Sequence, residues 1–278
     1  MSETPSVALT IAGSDSGGGA GIQADLVTFA ALGVHGASVI TALTAQNTRA
    51  VTAVHVPPVD FLQAQLDAVL DDLPVAAVKT GMLATEKVVH AVAEAAAAGR
   101  LPNLVVDPVL VSASGARLLD EGAERAYVEA LFPQALVVTP NSREATALLG
   151  RPVETVDDAR AAARDLAELG PRWVVVKGGH QRDPSGEPSA EAVDVVYEAA
   201  TGAVTELRRP RVATGNDHGT GCTFAAATAA RLASGDTVPE ALAAAKDFVH
   251  EGLTASAGWR LGAGHGPVGK LGAWARRG

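Results

Sequence analysis

Short apolar runs alternate along this chain with longer stretches in which apolar residues recur every three or four positions. The run 7–12 is typical of a buried strand, and the stretch 21–32 that follows places Ile22, Leu26 and Phe29 on one side of a helix. The same reading predicts strands at 37–42, 76–80, 104–107, 136–139 and 173–177, a hairpin of 194–197 with 204–207, and further helices at 58–70, 85–98, 121–131, 143–149, 156–169, 223–234 and 238–256.

This alternation predicts an α/β fold, a three-layer αβα sandwich around a mostly parallel central sheet. The strands are apolar on both faces, as burial between two layers of helices requires. With 278 residues, 47% of them hydrophobic, the chain can form one large core. We find no internal repeat or linker and expect a single domain over 1–278, with peripheral tails at 1–5 and 270–278.

Composition narrows the possible functions. The net charge is −9 and no cluster of Lys and Arg marks a nucleic-acid interface. No uninterrupted apolar run is long enough for a membrane span, and the first residues lack the pattern of a signal peptide. A single cysteine rules out an internal disulfide and fits a reducing, cytoplasmic location.

Polar and glycine-rich segments follow most of the predicted strands. Ligands in open parallel sheets bind beyond the carboxyl ends of the strands, so we expect these segments to form one site. They are 13–21, 46–47, 80–82, Asp107, 141–144 and 177–180.

The segment G-N-D-H-G-T-G-C, residues 215–222, is the strongest chemical signal. Gly219 and Gly221 allow close approach of the backbone to a ligand, and the helix that follows adds partial positive charge. The segment therefore predicts a pocket for phosphate or for developing negative charge, as phosphoryl transfer to a hydroxyl requires. Cys222 at the helix start can have a pKa below the free value of about 8.5. The alternative is that Cys222 is a small buried apolar residue.

The first glycine-rich loop, 13–21, admits both ligand contact and a plain tight turn. It lacks the G-x-G-x-x-G spacing of dinucleotide-binding loops and the G-K-[ST] of a P-loop. Asp25 follows it, and its position alone suits a solvated carboxylate on a helix.

Four further polar residues each have two interpretations. Gln46 can hydrogen-bond the edge of a heterocycle or stabilise a turn. Asp107, at the end of L-V-V-D, suits a metal ion or a salt bridge. Lys177, before two glycines, suits a ligand or the solvent. Glu144 gains from the dipole of a helix capped by Asn141 and can order a magnesium-bound water.

Together these motifs resemble the ribokinase-like small-molecule kinases, and within them the hydroxymethylpyrimidine/phosphomethylpyrimidine kinases of thiamine biosynthesis. The resemblance spans nearly the whole chain, from residue 8 to about 268. It is carried by A-L-T-I-A-G-S-D-S-G-G-G-A-G-I-Q-A-D-L (8–26), V-I-T-A-L-T-A-Q-N-T (39–48), K-T-G-M-L (79–83), V-V-D-P-V (105–109), T-P-N-S-R-E-A (139–145), V-K-G-G-H (176–180) and H-G-T-G-C-T (218–223). Cysteine at position 222, where most ribokinase-like enzymes have Asp, is similar to the pyrimidine kinases.

The resemblance implies a role for each matching residue. Gln46 would hydrogen-bond the aminopyrimidine, and Cys222 would face the hydroxymethyl group as base or orienting group. The pocket would be lined by Gly13, Asp25, Met82 and Val109. The N–H groups of Gly219, Thr220, Gly221 and Cys222 would hold the phosphoryl group. ATP would be bound by Asn141, Lys177 and Thr214, and Mg²⁺ by Asp107 and Glu144.

The implied activity is phosphorylation of 4-amino-5-hydroxymethyl-2-methylpyrimidine and then of its monophosphate, by a homodimer. Pyridoxal kinase is an alternative, and a non-catalytic pyrimidine-binding protein is an alternative of another class. Two positions depart from the family pattern. Ala263 stands where the family often has a lysine between glycines, and Thr44 replaces a hydrophobic residue.

Overall fold

A computed structural model describes residues 4–110, 122–179, 181 and 187–270, and in this part of the chain one sheet has nine strands. The order is β3-β2-β1-β4-β5-β6-β7-β8-β9. β1, β2, β4, β5, β6 and β7 run parallel, whereas β3, β8 and β9 pair antiparallel at the two edges. The strands are β1 Val7–Asp15, β2 His35–Gln46, β3 Val51–His55, β4 Val75–Thr80, β5 Leu104–Val106, β6 Val137–Val138, β7 Trp173–Val176, β8 Glu191–Glu198 and β9 Val204–Pro210.

Helices cover both faces of the sheet, which confirms the predicted three-layer sandwich. One core holds apolar residues of α2, α3 and α6, and the other holds those of α1, α7 and α8. Along β5 the side chains alternate between these cores, as a strand buried on both faces requires. The helices are α1 Gly21–Ala31, α2 Val59–Leu70, α3 Glu86–Ala97, α4 Ala123–Ala126, α5 Ser142–Leu149, α6 Val156–Ala167, α7 Thr220–Ala233 and α8 Val238–Ser256. None of the described helices is long and apolar enough to cross a membrane.

The structure differs from the sequence-based prediction in several elements. β3 was not predicted, because most of its side chains are exposed and give no apolar pattern. α7 begins at Thr220, three residues earlier than predicted, so Cys222 lies in its first turn. The helix predicted over 121–131 is α4, which continues as a π-helical turn, Tyr127–Leu131; residue 121 lies outside the described residues.

The expected peripheral tail does not begin at residue 270. Lys270 is buried, and its Nζ donates a hydrogen bond to the carbonyl oxygen of Gly19 at 3.0 Å. Residues 271–278 lie outside the described part of the chain.

A buried ion pair joins α1 to β4 beneath the glycine-rich loop. Lys79 Nζ lies 2.8 Å from Asp25 Oδ2, which also accepts a hydrogen bond from the Thr10 hydroxyl at 2.6 Å. Both charged side chains are fully buried, so a solvated carboxylate at Asp25 is wrong. Burial raises the pKa of Asp25 against the opposing effect of Lys79. Burial also opposes the charge of Lys79, but Asp25 and other negative groups outweigh it and raise the pKa of Lys79. We take the pair as charged, because Asp25 Oδ2 accepts both hydrogen bonds.

We expect Lys79→Met to lower the free energy of unfolding by about 3–5 kcal/mol, because it leaves Asp25 buried without its partner. Adding Asp25→Asn should recover much of the loss. The control is Arg100→Met, whose ion pairs with Asp67 and Asp71 are partly exposed and should contribute about 0–1 kcal/mol. Urea unfolding measures all three variants. An unfolding midpoint of Lys79→Met equal to that of Arg100→Met would contradict this assignment.

Candidate active site

The N-terminus of α7 presents backbone N–H groups that the described residues leave unused. Gly219 caps the helix in the left-handed conformation, with φ +81°, and no side chain caps it. Thr220 N–H turns back to the Asp217 carbonyl at 3.2 Å, but no described carbonyl accepts from Gly221 or Cys222. Such a helix end carries partial positive charge and free donors, so it suits an anion.

Two glycines of this segment lie in close contact with their neighbours. A Cβ on Gly219 would overlap with the carbonyl oxygen of Gly19, so the glycine-rich loop lies directly against the helix start. A Cβ on Gly221 would lie 2.9 Å from Lys177 Nζ and 3.6 Å from Asp107 Oδ2. The N-terminus of α7 therefore lies between the first glycine-rich loop and the charged side chains of Lys177 and Asp107.

Cys222 carries a neutral thiol at this helix start. It is only partly accessible, and burial raises its pKa, with Asp25 and Asp107 adding to the shift and Lys79 opposing it. The expectation of a lowered pKa is therefore wrong, because desolvation outweighs the helix dipole and the nearby lysine. The surrounding charges also show that Cys222 is not an apolar core residue.

Asp107 and Lys177 form an ion pair beside Gly221. Lys177 Nζ lies 2.7 Å from Asp107 Oδ1, which also accepts from the Thr139 hydroxyl at 3.1 Å. Burial opposes the charge of Lys177, but Asp107 and Glu144 outweigh it and raise the pKa. A solvated ammonium at Lys177 is wrong, since only 12% of its side chain is exposed.

Asn141 and Glu144 form a capping box at the start of α5. Asn141 Oδ1 accepts from the N–H of Arg143 and of Glu144, and Glu144 Oε2 accepts from Asn141 N–H at 2.7 Å. The predicted cap is confirmed. Burial raises the pKa of Glu144 to about 8, against the opposing charge of Lys177.

The described residues contain no cluster of three or more His, Cys, Asp or Glu side chains able to hold a metal ion. Mg²⁺ at phosphate sites needs only one or two carboxylates, because phosphates and water complete its shell. Asp107 Oδ2 faces Gly221, and both hydrogen bonds of this carboxylate go to its other oxygen. Asp107, with Glu144 nearby, therefore fits an ion that arrives with a phosphate ligand.

Three of the predicted pocket residues, Gly13, Met82 and Val109, lie together. A Cβ on Gly13 would lie 2.6 Å from Met82 Cε, so the methionine occupies the space that a side chain at position 13 would need. Met82 packs with Ala42 and Ala84, and Val109 packs against this cluster. The result is a small apolar surface beside the glycine-rich loop.

Gln46 ends β2 at the edge of a cavity of about 380 Å³. The Thr44 hydroxyl can donate its one proton to the Ser14 carbonyl at 2.9 Å or to Gln46 Oε1 at 3.1 Å, and Gln46 Nε2 lies 3.4 Å from His218 Nε2. The other lining residues are Asn47, Thr48, Arg49, His218, Gly264 and His265. The cavity lies beside Gln46, and neither Cys222 nor Met82 lines it.

Asp15 organises the first glycine-rich loop. Its carboxylate accepts from the N–H groups of Gly17, Gly19 and Ala20, and His218 Nε2 lies 2.9 Å from Oδ2. Burial opposes ionisation, but these hydrogen bonds together lower the pKa of Asp15. Because Asp15 takes up these N–H groups, the structure favours a tight turn here rather than a phosphate loop.

Thr214 contacts none of the other predicted site residues among the described interactions. Its hydroxyl accepts from Asn216 N–H at 3.0 Å and lies 3.4 Å from the Ala257 carbonyl, which holds the turn before α7. Sequence reasoning missed Lys79, and it included Asp15 and His218 in site segments without giving either a role. The lysine inside the apolar run V-A-A-V-K-T was the one available signal for Lys79.

Comparisons with known proteins agree with this geometry. A family model described as phosphomethylpyrimidine kinase matches residues 15–269. The hydroxymethylpyrimidine/phosphomethylpyrimidine kinase of Rhizobium meliloti is 48% identical, over 96% of this chain and 98% of that protein. The thiamine biosynthesis bifunctional protein ThiED of Geobacter sulfurreducens is also 48% identical, over 94% of this chain and 51% of that protein. This chain thus spans about half the length of the bifunctional relative.

The fold comparison gives the same result. The crystal structure of an ADP complex of Bacillus subtilis pyridoxal kinase superposes with a TM-score of 0.87 at 36% identity, covering 98% of this chain and 100% of that one. The predicted ribokinase-like sandwich is thereby confirmed. By family model, sequence identity and fold, the chain belongs to the phosphomethylpyrimidine kinase family, phosphotransferases of thiamine biosynthesis.

Proposed function

We propose that this kinase transfers the γ-phosphoryl group of ATP to the hydroxymethyl group of 4-amino-5-hydroxymethyl-2-methylpyrimidine, and then transfers a second one to the monophosphate formed. The observation that carries the proposal is the uncapped start of α7, which lies between the Lys177–Asp107 pair and the glycine-rich loop. The free N–H groups of α7 and the buried ammonium of Lys177 lie close together. Phosphoryl transfer depends on such positioning of the reactants and on neutralisation of their charge.

On the nucleotide side, Lys177 would neutralise phosphate charge next to Gly221. Bound Mg²⁺ would add charge neutralisation across the phosphates, held by Asp107 and, through water, by Glu144. Asn141 and Thr214 would contact the rest of ATP. The ADP held by the related pyridoxal kinase supports a nucleotide site in this fold.

On the acceptor side, the Gln46 amide offers both a donor and an acceptor to an aminopyrimidine edge. Met82 and Val109 would pack on the ring, and Gly13 leaves room for them. Asp25 would lie beneath the pocket rather than touch the ring, because its side chain is fully buried, and its Oδ1 accepts no hydrogen bond from the described residues.

Cys222 would orient the alcohol rather than act as a preformed thiolate. Its raised pKa keeps the thiol protonated near neutral pH. A loose phosphoryl-transfer transition state does not depend on early removal of the proton of the alcohol. The second acceptor is already a phosphate and needs no such orientation.

Pyridoxal kinase is the second candidate, because a pyridoxal kinase shares this fold at 36% identity. Both acceptors are heteroaromatic alcohols of similar size. The edge-recognising amide of Gln46 favours the aminopyrimidine.

The deciding experiment is an ADP-release assay with ATP and Mg²⁺ against four acceptors: the pyrimidine alcohol, its monophosphate, pyridoxal and ribose. We expect turnover with the first two, a lower kcat/KM with pyridoxal and none with ribose. Higher kcat/KM with pyridoxal would assign the second candidate instead. Binding of the pyrimidine without ADP release would indicate a binding protein.

We expect Cys222→Ala to slow the first transfer on the order of 10-fold, the loss of one hydrogen bond to the alcohol, and the second transfer much less. Single-turnover rates with the alcohol and with the monophosphate measure the difference. Cys222→Ser, which keeps a hydrogen-bonding group, should recover part of the first rate. Equal loss in both transfers would contradict an orienting role toward the alcohol.

A further inference from the structure

Lys270 is a buried cation without a counterion among the described residues. It is 7% exposed, and its Nζ donates to the carbonyls of Gly19 at 3.0 Å and Val268 at 3.4 Å. An ammonium has three donors, so these two contacts leave one N–H unused. No described carboxylate lies within ion-pair distance of Nζ.

The other lysines of low exposure in the described chain all have carboxylate partners. Lys79 pairs with Asp25 at 2.8 Å, Lys177 with Asp107 at 2.7 Å and Lys246 with Asp194 at 2.9 Å. Burying a charge without a partner costs free energy, which an anionic ligand would offset. Lys270 is therefore the lysine whose surroundings leave room for an anion.

The position of this cation points to the acceptor side of the site. The Gly19 carbonyl that it contacts lies directly against Gly219, the cap of α7. Burial lowers the pKa of Lys270, while Cys222, Asp25 and Asp15 oppose that shift. These groups surround the proposed acceptor pocket, whereas Lys177 already serves the nucleotide side.

We propose that Lys270 binds the phosphate of the monophosphate acceptor during the second transfer; this inference rests on the proposed function. The alcohol acceptor is neutral, but its monophosphate brings negative charge to the α7 N-terminus, next to the phosphates of ATP. An oxygen of that phosphate attacks the γ-phosphorus, the bond from the γ-phosphorus to the bridging oxygen breaks, and ADP leaves with the electron pair. Lys270 keeps its proton throughout and lowers the repulsion between the two anions.

The test is Lys270→Met in the full chain, with kcat and KM measured for the alcohol, the monophosphate and ATP. We expect the KM of the monophosphate to rise at least tenfold, while the KM of the alcohol and of ATP change less than about twofold. Titration calorimetry without nucleotide should show the same selective loss of monophosphate binding. Lys270→Gln keeps a donor for the Gly19 carbonyl but removes the charge, and it should behave like Lys270→Met.

The matched control is Lys246→Met. Lys246 is also 7% exposed but pairs with Asp194, which accepts from the N–H of Gly178 next to Lys177 on the nucleotide side. Because Lys246→Met leaves Asp194 buried without its partner, urea unfolding is measured beside the kinetics. Lys246→Met should change the KM of neither acceptor selectively.

Equal changes in KM for both acceptors in Lys270→Gln would overturn the inference. They would indicate that Lys270 only stabilises the first glycine-rich loop. If Lys270→Met does not fold, the comparison of Lys270→Gln with the unmodified chain gives the same decision. Failure of the proposed function is a separate result, because the unmodified chain would then release no ADP with either acceptor.

Discussion

The site depends on the close packing of the α7 N-terminus against the first glycine-rich loop. Side chains are excluded from the contact, since a Cβ on Gly219 would overlap with the Gly19 carbonyl. The N–H groups of Gly221 and Cys222 have no acceptor among the described residues, and Gly221 lies beside Lys177 and Asp107, which follow β7 and β5. An anion that accepts hydrogen bonds from such free N–H groups is bound favourably at the helix N-terminus.

Buried charges on either side of this helix end divide the site. The Lys79–Asp25 pair lies under the acceptor side, and the Lys177–Asp107 pair lies beside Gly221 on the nucleotide side. Cys222 lies between them, and desolvation with its carboxylate neighbours keeps the thiol protonated. The arrangement suits transfer of a group between two fixed ligands, with no covalent step on the enzyme.

Much of the fold follows from the apolar pattern, because strands buried between two helical layers have little freedom in composition. β4, β5 and β7 were predicted to within one residue of their observed bounds for this reason. β3 could not be predicted, since its stability comes from pairing with β2 and not from burial of its side chains. Glycines, Asn141 and the residues at strand ends carried the site prediction, because backbone geometry restricts the residue types at such positions.

Other features of the site depend on tertiary contacts and could not be predicted from the sequence. The helix dipole predicts a lowered pKa for Cys222, but the burial that reverses it depends on residues from other elements. The partners of Asp25, Lys79 and Asp15 are likewise distant in sequence, at separations that no local pattern encodes. Thr44, seen in the sequence only as a departure from the family, contacts Gln46 Oε1.

The most direct test of the central claim is the rate of phosphoryl transfer in Gly221→Ala, with Gly215→Ala as control. A Cβ at 221 would lie 2.9 Å from Lys177 Nζ, whereas one at 215 would meet nothing within 4 Å. We expect kcat of Gly221→Ala to fall about 100-fold or more, because the added Cβ would displace Lys177 Nζ and occupy space beside the N–H groups that face the phosphoryl group. Binding of the pyrimidine alcohol should persist, and Gly215→Ala should match the unmodified chain. An unchanged kcat in Gly221→Ala would contradict the assignment of the α7 N-terminus as the phosphoryl site.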